Sequence, residues 1–282
     1  MLTTMLTTML TTMSADGTDV RAYDEGRGPT IVMVGPGLDD GRRCGRIAGL
    51  LSGRFRVLRL HRRQYRLDLK TDPVKGSPCS VAQEVQDVLA VVRAAGEPAV
   101  VYGHSSGGVV ALEALAAAPS CFAGGVVFEP AAVIGPPLAG EGGEVLRRAR
   151  AALAAGRPGR ALTVFLRDTV GLPPGQARLA GAFTALIPRY RGLVPCQLDD
   201  LEALDRLGVR LDAYATIEVP VFLLGGDRSP AHLAKRLDAV ERALPNTVRM
   251  VMRKRDHGAD LKHPRQVADL IAAFAGKVLP RP

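Results

Sequence analysis

The sequence predicts an α/β fold, a mostly parallel twisted sheet with helices on both faces, carrying one inserted block of helices. Three observations lead there. From residue 18 onward, short β-branched runs alternate with helical segments. Several of the runs are apolar throughout, as strands buried on both faces are. One stretch, 136–216, contains helix-like pieces separated by Gly and Pro and no strand.

The chain opens on MLTTMLTTMLTTM, residues 1–13, a perfect four-residue repeat. Spacing of four would bring its methionines near one helical face, but Thr is a poor helix former. The segment is read as a low-complexity, frayed leader before a domain that begins near Met13, with an amphipathic contact helix as the alternative. TDVRAYDEG (18–26) is extended. Strands follow at 30–34, 55–60, 98–102, 124–129, 218–224 and 247–252. Helices are expected at 81–96, with apolar residues at spacings of three and four and an end on Gly96, at 106–118, directly after a strand, and at 263–278, closing the chain. Residues 14–135 and 217–282 therefore form the α/β core, and 136–216 a helical lid inserted between two strands, expected to lie over the strand ends.

With 282 residues, 47% apolar and 23% charged, the chain has the composition of a soluble globular protein. Its net charge of +9 comes from scattered arginines, without an RNA-binding or helix-turn-helix signature, so no nucleic-acid partner is expected. The four cysteines have neither metal-ligand nor redox-motif spacing, and free thiols in a reducing, cytoplasmic setting are expected. No apolar run is long enough to span a bilayer and the N-terminus lacks signal-peptide features, so no membrane partner is expected either.

The chemistry concentrates at AVVYGHSSGGVV, residues 99–110. Gly103-His104-Ser105-Ser106-Gly107 is a G-x-S-x-G pattern between an expected strand and an expected helix. There a Ser stands on a strained turn with its hydroxyl exposed, and the helix N-terminus points N–H groups toward a developing oxyanion. Ser105 is the candidate nucleophile, and His104 is a wall residue. A Ser hydroxyl needs a base. His257, in the loop after the last strand, falls at the sheet edge where the turn opens, whereas His263 starts the last helix.

From residue 18 to 280 this pattern resembles the α/β-hydrolase superfamily, in particular lidded single-domain members with a Ser nucleophile. The order of Ser, acid and His along the chain matches. Members of the family usually carry His-Gly after the third strand; here Pro36-Gly37-Leu38 stands in that place. Proline has no N–H, so the resemblance implies an oxyanion hole made by the N–H groups of Leu38 and Ser106. The family acid usually follows the seventh strand, but the matching position is Ser229. Ser229 and Pro230 have a local explanation as N-cap and first residue of a helix. Asp227, two residues earlier, is one candidate acid. Glu129, which ends the strand after the nucleophile strand and is held extended by Pro130, is the preferred one.

Basic residues at 61–70, Arg42, Arg43, Arg228 and Arg253-Lys254-Arg255 fall in loops expected at the same edge. They could steer an anionic or carrier-linked substrate, or be ordinary solvated surface. The resemblance implies a serine hydrolase (esterase- or thioesterase-like) acting on a small-molecule ester, thioester or lactone, with no metal and no organic cofactor. A lyase, cyclase or acyl transferase on the same scaffold, or a non-catalytic binding protein, is the alternative.

Overall fold

The computed structural model describes residues 7–70, 75, 76, 78–96 and 98–280. Its β-branched runs form one eight-stranded sheet. The strands are β1 (Thr8–Met13), β2 (Asp19–Glu25), β3 (Thr30–Val34), β4 (Arg56–Leu60), β5 (Ala99–His104), β6 (Phe122–Phe128), β7 (Val221–Gly226) and β8 (Thr247–Met252). They lie in the order β1-β2-β4-β3-β5-β6-β7-β8. The pairs β1–β2 and β2–β4 are antiparallel and all the others parallel. Strands β3 and β5, in the middle, are buried at every residue, which explains their unbroken apolar pattern.

The helices are α1 (Gly45–Leu51), α2 (Val81–Ala95), α3 (Ser106–Ala117), α4 (Glu144–Ala154), α5 (Pro158–Asp168), α6 (Pro174–Leu186), α7 (Pro188–Leu207), α8 (Leu211–Tyr214), α9 (Ala231–Ala243), α10 (Ala259–Lys262) and α11 (Pro264–Val278). On one face of the sheet, Ile47, Ala48 and Leu51 of α1 and Val267, Ile271 and Ala275 of α11 pack with Ile31, Met33, Val57, Val100 and Val126. Helix α3 packs on β3, β5 and β6 and touches α8, which in turn meets α9.

The chain divides into two compact units. The first comprises residues 1–62, 82–131 and 211–282 and holds all eight strands. The second comprises 63–81 and 132–210 and holds α4 to α7. It therefore differs from the 136–216 insertion expected from sequence. It recruits an earlier segment, where the Tyr65 hydroxyl donates to Asp200 Oδ2 on α7 at 2.6 Å. It releases α8, which joins α3 and α9 in the first unit. Within the second unit, glycines let α5 and α6 approach closely: a Cβ on Gly159 would lie 2.7 Å from the Gly181 carbonyl oxygen.

Two local expectations are corrected. The MLTT repeat is not a frayed leader over its described part, because Thr8–Met13 is an edge strand with all six residues registered against β2. Thr disfavours helix but fits a pleated strand, and the neighbouring β2 supplies backbone partners that sequence periodicity cannot show. At α9 the N-cap is Pro230, not Ser229, and no side chain caps the helix.

The sheet unit is anchored beneath its C-terminal edge by Arg62, which follows β4 and is fully buried. Its Nε and Nη2 donate to the two carboxylate oxygens of Glu84 on α2 at 2.9 and 2.6 Å. Its Nη1 donates to Ser106 Oγ at 2.7 Å and reaches the Gly35 carbonyl at 3.4 Å. One guanidinium thus ties together the ends of β3, β4 and β5 and helix α2. Arg62→Met removes the fork that neutralises Glu84, and is expected to cost about 3–5 kcal/mol in urea unfolding. Arg62→Lys keeps the charge but not the two-pronged geometry, and should recover only part of that loss.

Candidate active site

Strand β5 ends on Gly103 and His104, and α3 starts at Ser106. Ser105 between them has φ 55° and ψ −121°, a left-handed conformation that a side chain rarely adopts. The flanking glycines are required by space. A Cβ on Gly103 would lie 2.5 Å from the Gly107 carbonyl oxygen, and one on Gly107 would lie 2.3 Å from that of Gly35. The turn is held by backbone hydrogen bonds: the Ser105 N–H donates to Phe128 at 3.0 Å, and the Ser105 carbonyl accepts from Gly108 at 2.9 Å and Ala131 at 3.0 Å.

Glu129 follows β6 directly and is buried; its φ is also positive, 41°, so it is not held extended ahead of Pro130 as expected from sequence. Its Oε2 lies 2.7 Å from His257 Nδ1, and its Oε1 accepts the Gly226 N–H at 2.7 Å. Burial pushes this carboxyl up, but the hydrogen bond and charge of His257 and the Gly226 N–H outweigh it and hold Glu129 below the usual carboxylate range. A carboxylate at Nδ1 selects the His257 tautomer with the proton on Nδ1 and leaves Nε2 as the proton acceptor. Asp227 lies elsewhere: it is exposed on the turn after β7, and its Oδ1 accepts the Arg255 N–H at 3.3 Å. Of the two candidate acids, the fold brings Glu129 to His257.

Leu38, in the loop after β3, has φ 56°. Ser106 is the first residue of α3, where an N–H has no intrahelical acceptor. Four non-glycine residues have positive φ among the described residues, and Leu38, Ser105 and Glu129 are three of them. Such strain costs of order 1–3 kcal/mol per residue and persists where the surrounding structure over-determines it, characteristically at functional sites.

A buried polar cluster supports these residues; the sequence marks His104 only as a wall and Arg43 only as a basic residue of the site mouth, and does not mark Asp260. The His104 ring is stacked on Phe128 with centroids 4.5 Å apart and lies 4.6 Å from the His257 ring. Burial pushes its imidazole down to about 4, with Asp260 offsetting only part of that shift. His104 is therefore a neutral wall behind His257 at physiological pH. Its Nδ1 is 3.4 Å from Asp260 Oδ2. Asp260, in α10, also takes a two-pronged contact from Arg43 at 2.6 and 2.9 Å. Because Arg43 belongs to the Leu38 loop and Asp260 lies three residues past His257, this ion pair ties the two loops together. No sequence signal marks it, since the partners are 217 residues apart.

The arginines expected to crowd the site mouth are partly spent inside. Arg43 and Arg62 serve the ion pairs above, and Arg66 pairs with Asp68 at 2.6 Å. Arg42, Arg228, Arg253 and Lys254 remain exposed. No group of three or more His, Cys, Asp or Glu residues arranged to hold a metal occurs among the described residues.

Asp39, next to Leu38, is buried and accepts the Arg43 N–H at 2.9 Å. Burial pushes its carboxyl up from 3.8 to about 6, against the opposing hydrogen bond and charge of Arg43. The folded carboxyl keeps its proton to about pH 6, while the unfolded one releases it near 3.8. Its burden on stability is therefore absent below pH 4 and grows as pH rises to about 6, after which it is constant. Asp39→Asn should accordingly raise unfolding stability at pH 8 by up to about 3 kcal/mol. The gain should vanish by pH 4 in chemical denaturation; an equal gain at both pH values would contradict this origin.

Comparison with known proteins places this geometry in context. A family model described as the alpha/beta hydrolase family matches residues 31–270. The structure resembles an alpha/beta hydrolase from Sphaerobacter thermophilus, with TM-score 0.73 and 26% identity over 94% of this chain and 99% of the other. It resembles an esterase from a Rhodococcus species, with TM-score 0.69 and 21% identity over 96% and 99%. It also resembles an enzyme that degrades N-acyl homoserine lactones, with TM-score 0.69 and 19% identity over 93% and 99%. No curated protein sequence matches the chain. With a family model spanning most of its length and an eight-stranded sheet of the matching kind, this chain belongs to the alpha/beta hydrolase family.

Proposed function

We propose that this protein is a serine hydrolase that cleaves a small-molecule ester, thioester or lactone through an acyl-enzyme. The observation that carries the reading is the 2.7 Å contact between His257 Nδ1 and the Glu129 carboxylate, one strand away from the strained Ser105.

In this reading His257 Nε2 takes the Ser105 hydroxyl proton as Oγ attacks the substrate carbonyl carbon. The carbonyl electron pair moves to oxygen, where the N–H groups of Leu38 and Ser106 stabilise it. When the tetrahedral species collapses, the bond to the leaving group breaks and His257 returns the proton to that group. Water then attacks the acyl-enzyme with His257 again as base, releasing the acid and restoring Ser105. Glu129 stays ionised, orienting the imidazole and balancing the charge it gains. The Arg43–Asp260 pair and the His104 wall limit how far His257 can drift. The exposed basic residues are compatible with an anionic or carrier-linked substrate, and the esterase and lactone-degrading neighbours are consistent with carbonyl substrates in general.

A fluorophosphonate probe should label the protein covalently, and Ser105→Ala should abolish labelling. Turnover of a panel of p-nitrophenyl esters and lactones in ¹⁸O-water should place the heavy oxygen in the acid product; turnover without it would indicate acyl transfer or elimination instead.

Glu129→Ala should lower kcat about 10²–10⁴-fold with little change in the melting transition. Asp227→Ala should remain within a few-fold of the parent. The reverse ranking of these two variants would move the acid to Asp227.

A further inference from the structure

Helix α6, in the second unit, is amphipathic the wrong way round. The side it buries carries the small residues Ala177, Gly181 and Thr184. Its large apolar residues point outward: Leu179, Phe183 and Leu186 are 74%, 59% and 80% exposed. At 3.6 residues per turn the two sets lie about 160° apart on the helix. The close approach of α5 explains why the inner side must be small, since a Cβ on Gly181 would meet Thr163 Oγ1 at 2.2 Å. It does not explain Leu, Phe and Leu in water.

One flank of this ridge is strongly basic. Arg178, Ala182 and Ala185 of α6 border a cleft of about 890 Å³ that also takes in Arg148, Arg157, Arg160 and Arg167. Five arginines and no carboxylate line it. Arg148 and Arg167 are paired with Asp168, outside the lining. Arg157, Arg160 and Arg178 have no ionic partner among the described residues. An apolar ridge beside unneutralised guanidinium groups fits an occupant that offers hydrocarbon and negative charge together.

We propose that α6 and its arginine cleft form a docking surface for an anionic lipid bilayer, with Leu179, Phe183 and Leu186 entering the acyl boundary and Arg157, Arg160 and Arg178 meeting lipid phosphates. Amphipathic helices bind bilayers in this way, apolar side chains a few ångströms deep and basic residues at headgroup level. Two features favour a bilayer over a protein. A 13-residue helix is about 20 Å long, so its exposed face falls well short of the roughly 800 Å² per partner that stable protein complexes bury. A second copy of this chain would also set the unneutralised Arg157, Arg160 and Arg178 against charges of the same sign. Docking of this kind would depart from the expectation that no membrane partner exists, and it needs no membrane-spanning helix, of which there is none among the described residues.

The test is co-sedimentation of the full-length protein with extruded vesicles of phosphatidylcholine alone or mixed with phosphatidylglycerol. Binding is expected with the anionic vesicles at low salt, about tenfold weaker with neutral ones and weakened by added salt. Leu179→Ser/Phe183→Ser/Leu186→Ser and Arg157→Ala/Arg160→Ala/Arg178→Ala should each lower vesicle affinity about tenfold or more, with circular dichroism confirming the fold. Because the chain has no Trp, Phe183→Trp supplies a unique reporter in an otherwise intact protein. Its emission should shift to the blue with anionic vesicles and not with inorganic phosphate. The proposal is overturned if the parent protein stays in the supernatant with anionic vesicles. It is equally overturned if the ridge variant pellets as well as the parent, which would assign binding to diffuse positive charge. Concentration-dependent dimerisation that the ridge variant abolishes, without vesicle binding, would assign the ridge to self-association.

Discussion

The arrangement of the sheet edge that carries the candidate site depends on one buried guanidinium. Arg62 neutralises Glu84 with two of its nitrogens and uses the third on Ser106 and Gly35. Taking these charges out of water is expensive, so the arrangement is stable only while every contact is made. That all-or-none character suits a site whose parts come from different strand ends. The loop after β3, the turn after β5 and helix α2 cannot move independently while Arg62 bridges them.

On that anchored edge the fold stores backbone strain where chemistry is proposed. Leu38, Ser105 and Glu129 all occupy the left-handed region without being glycine. Two of them are held by neighbours with no slack: the glycines around Ser105 admit no Cβ, and Glu129 is fixed by backbone and side-chain hydrogen bonds to β7 and His257. A second ion pair, Arg43–Asp260, does for the Leu38 and His257 loops what Arg62–Glu84 does for the strand ends. The two pairs make a rigid frame in which the orientation of the imidazole is set before substrate arrives, the condition under which preorganised groups act most strongly.

Charge is the property most easily misread from this chain. A net charge of +9 and arginine-rich loops suggest a basic mouth, yet Arg43 and Arg62 are consumed by buried carboxylates and Arg66 by Asp68 beside it. Unneutralised arginines gather instead around the cleft beside α6, far from the motif in sequence. Sequence counts charges; which of them face one another is decided by packing.

Much of the fold was legible because its signals are local. Period and β-branching mark β3 to β8, and G-x-S-x-G between an apolar strand and a helix marks the turn at Ser105. The order Ser, acid, His marks His257 and leaves two candidate acids. The MLTT repeat was misread for a physical reason: a backbone-paired edge strand buries almost nothing, so it needs no apolar alternation, and its partner lies outside the repeat. The bounds of the helical unit and the Arg43–Asp260 pair escaped likewise, since both rest on contacts between distant segments. By itself the sequence determined the α/β class and pointed to the strained turn at Ser105 and to His257, all set by short-range sterics and periodicity. Only the tertiary structure decided which of Glu129 and Asp227 stands against His257, because strand order brings the end of β6 to His257 while the turn after β7 points Asp227 to Arg255.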